Sequence, residues 1–178
     1  NSSGQNGYSQ FGERHGFSAG ISWDATIGVM AHELGHAYFD LPDLYDTTNT
    51  SSGIGAFGIM GGGAWGYKAL TEKMGSTPVH FSAWSKEKLG VCNPQTVSSG
   101  ADNYTLAAVY QMIDNTSSCG IYKASTTTYS TSGEYFLFEN RSAGGYDKGM
   151  NYLIYDNSSN KVVGTKYTGG LAVWHVKN

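Results

Sequence analysis

The sequence predicts an α+β fold, with two helices near the start followed by antiparallel β-strands, and three observations predict it. Apolar residues recur at helical spacing between residues 22 and 38. A second helix has both a start and a stop signal, in Thr77-Pro78 and Gly90. From residue 104 onward, short runs rich in β-branched and aromatic residues alternate with Gly, Asn and Ser breaks.

Taken in order, residues 1–21 are polar and Gly-rich and read as an irregular arm. Ser22 or Asp24 can cap the first helix, whose apolar face would be Ile27, Met30, Ala31, Leu34, Ala37 and Tyr38. Residues 40–77 are rich in turn formers, with Pro42 and seven glycines from Gly53 to Gly66. So long a segment without periodicity is usually functional or held by a metal. The second helix starts at Thr77-Pro78 and carries Phe81, Trp84, Ser85 and Leu89, a face that reads as core packing. Strands are expected at 104–113, 120–124, 134–140, 152–156, 161–167 and 171–176, with 156–160 as a hairpin tip and 125–132 as a polar loop. The whole is one catalytic-size region, its helical part at 22–103 and its β-rich part at 104–178.

Composition narrows the function. Charged residues are 14% of the chain, well below the usual quarter, and Gly, Ser, Thr, Asn and Tyr take their place. That balance suits a loop-rich extracellular protein. A net charge of −3 gives no footprint for nucleic acid. No apolar run is long enough to span a bilayer, and no signal peptide opens the sequence. Cys92 and Cys119 are too few for a disulfide framework, but one bridge between them fits an oxidising compartment. Sequons stand at Asn1, Asn49, Asn103, Asn115, Asn140 and Asn157, as chance allows in so Ser/Thr-rich a chain.

The chemistry lies in His32-Glu33-Leu34-Gly35-His36. Histidines four apart on a helix project from one face, one turn apart, and two neutral imidazoles so placed can grip one Zn²⁺. Glu33 lies about 100° around the helix, away from that grip but within reach of a metal-bound water. The metal brings the water's pKa to about 7, and the carboxylate takes its proton as it attacks a carbonyl. With five His and six Glu in the chain, chance places this triplet in about one such sequence in two hundred. A third ligand should follow the helix, and Asp40, Asp43 and Asp46 compete for it. Pro42 forces a turn that could swing Asp43 back toward the histidines, whereas Asp46 could bind calcium or cap a turn.

These residues, continued by Leu41-Pro42-Asp43-Leu44-Tyr45-Asp46, resemble the immune inhibitor A family of secreted bacterial zinc metalloproteases. The likeness extends in order through Gly55-Ala56-Phe57-Gly58-Ile59-Met60-Gly61, residues 77–86, residues 134–141 and residues 170–176. It implies a metzincin-like endopeptidase with Asp43 as third zinc ligand and Met60 as the Met-turn beneath the metal. It implies a polypeptide as substrate and secretion as destination. The chain departs from the family in one place, with Phe39 where Gly is common and one inserted residue, so Asp40 stays open as a ligand. In metzincin-like proteases a sheet precedes the active-site helix, and no such sheet fits before His32. An upstream segment or propeptide of the same precursor is therefore expected to complete the region.

Weaker candidates complete the list. Tyr67 and His80 are possible donors to the oxyanion at the attacked carbonyl. Asp43, Asp46, Asp147 and Glu139 offer oxygens that could hold Ca²⁺, though without EF-hand spacing. Two other functions share the motif: a zinc amide hydrolase of small substrates and a catalytically silent zinc-binding module. The former would use a Cys ligand in a local motif that neither Cys92 nor Cys119 has, and the latter has no need of Glu33.

Overall fold

A computed structural model describes residues 9–18, 21–48, 50–97, 103–112, 119–125, 133–152, 155–156, 161–162 and 167–177. The chain is α+β, as expected, and divides into two compact units, residues 1–80 with 146–167 and residues 81–145 with 168–178.

The first unit opens with a hairpin of β1 (Arg14–Ser18) and β2 (Ile21–Asp24), where the sequence suggested an irregular arm. Arg14 reaches Asp24 and Ser22 across it, and His15 faces Trp23 in register. These polar cross-strand pairs hide the hairpin from a search for alternating apolar residues. Helix α1 (Ile27–Phe39) begins after Thr26, later than either proposed cap, and no side chain caps it. Thr26 instead donates its hydroxyl to the Met74 carbonyl.

The expected apolar face of α1 is not the buried one. Ile27, Leu34 and Tyr38 are 49%, 52% and 80% exposed, while Gly28, His32 and Gly35 are buried. Steps of four and three place those last residues on one stripe, and small side chains there let the helix approach other backbone closely. Gly28 sits against the Ala64 carbonyl and Gly75. Side-chain apolarity alone missed this, because what the interface needs is the absence of bulk.

Beyond α1, the turn-rich segment contains two short 3-10 helices, Gly55–Phe57 and Gly62–Trp65. Backbone bonds across the loop hold it, including Leu44 N–H to the Met60 carbonyl at 2.8 Å and Val79 N–H to the Gly63 carbonyl at 3.1 Å. Leu41, Ile59, Met60, Ala64, Val79 and Met150 are the buried apolar side chains described in this unit. Gly145–Tyr152 is 3-10 helix, so the expected strand 152–156 does not begin at Tyr152, and of its described residues β6 (Tyr155–Asp156) is strand. It pairs antiparallel with β7 (Lys161–Val162), and the proposed tip, residues 157–160, lies outside the described residues, as do 126–132 and the sequons at Asn1, Asn49, Asn115 and Asn157.

The second unit contains helix α2 (Ala83–Lys88), which starts later than Thr77-Pro78 suggested. Ser82 is the cap, its hydroxyl accepting from Ser85 N–H. The Thr77 and Val79 N–H groups are already bonded to the Gly66 and Gly63 carbonyls, which holds that stretch extended. A four-stranded sheet runs β3 (Gln95–Thr96), β4 (Ile121–Ser125), β5 (Tyr135–Asn140) and β8 (Leu171–Val176), with only the β3–β4 pair parallel. The described residues of the expected strand, 104–112, form no strand. One bridge joins Ala108 to Asn140, and Val109–Gln111 is a 3-10 turn.

One sheet face packs Ile121, Leu137 and Val176 against Ala83 and Cys92, with Trp84, Tyr135 and Trp174 alongside. Cys92 and Cys119 are joined by a disulfide that closes a separation of 27 residues. Glu139, fully buried on this face, accepts from Lys86, Arg141 and the Trp174 indole at 2.9–3.1 Å. Three donors around a carboxylate offset the cost of burying its charge.

Candidate metal centre

Two turns of α1 and the loop after it bring three ligand atoms together. His32 Nε2 and His36 Nε2 lie 3.1 Å apart, and Asp43 Oδ1 lies 3.1 and 3.0 Å from them. These sides are close to the roughly 3.3 Å between neighbouring ligands of a tetrahedral zinc with 2.0–2.1 Å bonds. Among the described residues this is the one cluster of three such side chains.

The helix terminus delivers Asp43. Asp40, at the C-terminal cap, takes a left-handed conformation (φ 52°), with its N–H bonded to the His36 carbonyl and the Leu41 N–H to that of Gly35. A left-handed cap whose N–H bonds the carbonyl four residues back is normally Gly, and here it turns the chain so that Leu41 is buried and Asp43 returns to the histidines. Asp40 itself stays exposed and outside the cluster. Asp43 rather than Asp40 thus joins the histidines.

The outer nitrogens of both rings are fixed by main-chain carbonyls. His32 Nδ1 is 2.8 Å from the Ile59 oxygen and His36 Nδ1 is 2.6 Å from the Leu41 oxygen. A carbonyl only accepts, so each Nδ1 carries the proton, and in the neutral ring Nε2 is left with its lone pair. With both rings neutral, two lone pairs and a carboxylate oxygen face one another. A cation resolves that repulsion, and the nitrogen–oxygen donor set suits Zn²⁺.

Glu33 lies beside His32 on the wall of a cleft of about 350 Å³. Tyr45 stands opposite, its ring stacked on His32 at 6.2 Å with an interplanar angle of 23°. Burial, a side-chain hydrogen bond to Asp43 and the charges of Asp43 and Glu33 all raise the Tyr45 pKa. Val29, Ala64 and Trp65 supply an apolar wall, and His15 of β1 meets the Trp65 ring edge-on at 5.4 Å. The sequence reasoning missed Tyr45 and Trp65 as wall residues. Only Tyr45 had a signal, its place two residues after Asp43.

Met60 is fully buried, next to the Ile59 carbonyl that holds His32. Tyr67 and His80 do not line the cleft. Tyr67 N–H binds the Gly149 carbonyl, while His80 N–H binds Asp147 and its ring meets Tyr146. The four carboxylates considered for calcium form no shared site among the described residues. Asp46 is saturated by five donors of its own loop, Glu139 by Lys86, Arg141 and Trp174, and Asp147 is buried against His80. The Asn140 amide of one sequon is likewise engaged, with Leu106 and Ser142.

Residues 18–92 match the family described as "Immune inhibitor A peptidase M6, catalytic domain". The resemblance drawn from the motif is borne out over that segment, and it supports a peptidase acting on polypeptides. No curated protein and no solved structure shows a significant match to the chain.

Proposed function

With residues 18–92 similar to an immune inhibitor A-type peptidase catalytic domain, we propose that the chain is a zinc-dependent endopeptidase. The observation that carries this reading is the set of three potential ligand atoms, His32 Nε2, His36 Nε2 and Asp43 Oδ1, held within 3.1 Å of one another. These residues would hold the ion, which supplies an acidified water and polarises the scissile carbonyl. The rest is the work of this chain. Glu33 accepts a proton at its carboxylate and passes it to the leaving amine. The wall of Val29, Ala64 and Trp65 receives an apolar part of the substrate and excludes water around the attacked bond. Met60, buried beside Ile59, supports the floor under His32 as the Met-turn. The Cys92–Cys119 bridge supports secretion into an oxidising compartment.

The test is zinc analysis together with cleavage of unfolded casein, with and without chelator. Glu33→Gln is expected to abolish cleavage and keep stoichiometric zinc. Loss of zinc in that variant would make Glu33 a ligand, and undiminished cleavage after chelation would remove the metal from the mechanism.

A further inference from the structure

The third ligand sits on a loop whose closure depends on a carboxylate outside the metal cluster. Asp46 Oδ1 accepts from Thr48 N–H and Oγ1 at 2.8 and 2.6 Å. Its Oδ2 accepts from Thr50 N–H at 2.9 Å, Thr50 Oγ1 at 2.6 Å and Ser51 N–H at 2.7 Å. Both oxygens of one side chain thus gather Thr48, Thr50 and Ser51, and the Ser51 hydroxyl in turn accepts from Gly53 N–H.

That fold brings the chain back to the residue beside the ligand. Ile54 N–H donates to the Leu44 carbonyl at 2.9 Å, and Leu44 N–H donates to the Met60 carbonyl at 2.8 Å. Gly53, at φ 55°, passes so close that a Cβ there would lie 2.3 Å from the Leu44 oxygen. Leu44, the residue following Asp43, is therefore clamped on both its amide and its carbonyl. The next carbonyl back from Met60, that of Ile59, holds His32. Asp43 and His32 take their positions from the same short backbone, and the return of the chain to it runs through the Asp46 knot.

We propose that Asp46 is the positioning residue for the third metal ligand, acting through Thr48, residues 50–54 and Leu44 to hold the Asp43 carboxylate at the two histidines. The inference rests on the zinc-site reading above and concerns a residue that never touches the metal. Outer partners of ligands typically change metal affinity 10–100-fold, and Asp46, one step further removed, should sit at about tenfold.

A double-mutant cycle on the full chain tests it, read as the zinc dissociation constant by chelator competition. Asp46→Asn keeps the size of the side chain and replaces one acceptor oxygen by a donor that faces the Thr50 and Ser51 N–H groups. It should weaken zinc about tenfold when Asp43 is present and change it less than about twofold in the Asp43→Ala background. Thr50→Val, which removes a single hydroxyl donor, should give the same pattern at smaller size and serves if the Asn variant does not fold. An unchanged affinity in Asp46→Asn, or an equal loss in both backgrounds, would overturn the proposal, the second because the effect would then bypass Asp43. A wild-type chain that takes up no zinc, or an Asp43→Ala variant that binds as well as wild type, would sink the metal-site reading itself and this inference with it.

Discussion

Replacing Gly28 by Ala sets two large effects against each other. Helix propensity favours Ala over Gly by about 1 kcal/mol in a helix interior. The structure opposes it. A Cβ on Gly28 would stand 1.9 Å from the Ala64 oxygen, and 3.0 Å from both the Ala64 carbonyl carbon and Gly75 Cα. All three are backbone atoms, so no rotamer change relieves the overlap, and helix and loop must separate by about 1 Å. Overpacking of this kind costs about 1–3 kcal/mol. The separation also stretches the Gly28 N–H bond to the Gly75 carbonyl, now 3.0 Å, which contributes about another 1 kcal/mol. The net expectation is destabilisation of about 1–3 kcal/mol, or a fall in Tm of roughly 3–10 °C for a chain of this size. Urea unfolding and a thermal scan on matched samples measure it. A Gly28→Ala variant as stable as wild type, or stabler by the helix-propensity increment, would refute the claim that α1 is seated by close backbone approach.

The remaining predictions concern other parts of the chain. Asp40→Gly should stabilise by about 0.5–1 kcal/mol in urea unfolding, because Asp40 holds the left-handed conformation at φ 52° that Gly adopts freely. Asp43→Ala should lower zinc affinity at least a hundredfold while Asp40→Ala leaves it within about twofold, read by chelator competition. Reduction of Cys92–Cys119 should cost about 3–4 kcal/mol in urea unfolding on the chain-entropy account of a 27-residue loop. Glu72 gives a pH test. Burial alone would raise its pKa, but the Lys68 N–H, the Thr77 hydroxyl and the Lys68 charge together lower it. Its contribution is therefore complete above the ordinary value of 4.5 and is lost as pH falls through the lowered folded value. Urea unfolding of wild type and Glu72→Gln should converge toward pH 3 and differ at pH 7, and a gap that persists at low pH would contradict the sign.

How much of this was legible depended on whether the signal was local. The motif helix was readable because His32 and His36 need only a helix to share a face, and three of the four strands of the larger sheet were readable as β-branched and aromatic runs between Gly, Asn and Ser breaks. β8 matches its expected range, 171–176, and β5 starts one residue late. The capping of α1 and α2 was misplaced because the relevant groups are engaged from far along the chain: Thr26 by Met74, Val79 by Gly63. Residues 104–108 carry strand-like composition, yet only Ala108 finds a bridge partner, and composition cannot report that. Asp43 was favoured over Asp40 modestly through the turn at Pro42 and mainly through resemblance. What separates them physically is the left-handed turn at Asp40, a conformation that a non-Gly residue does not announce. Tyr45 was visible in the motif, but its stacking on His32 required the loop to be closed.

The two histidines are oriented by the oxygens of Ile59 and Leu41, both main-chain atoms. Where a carboxylate side chain performs that task, a single nucleotide change can delete it. Here no substitution at residue 59 or 41 removes the acceptor, since every amino acid brings the same carbonyl. The orientation of the imidazoles is thus shielded from most point mutation at the positions that enforce it. It is exposed instead to changes that shift the chain trace, such as insertions near residue 40 or a bulky residue at Gly58 or Gly61, both buried beside Ile59. Descendants of this sequence should accordingly vary in side chain at 41 and 59 more freely than in loop length between 36 and 61.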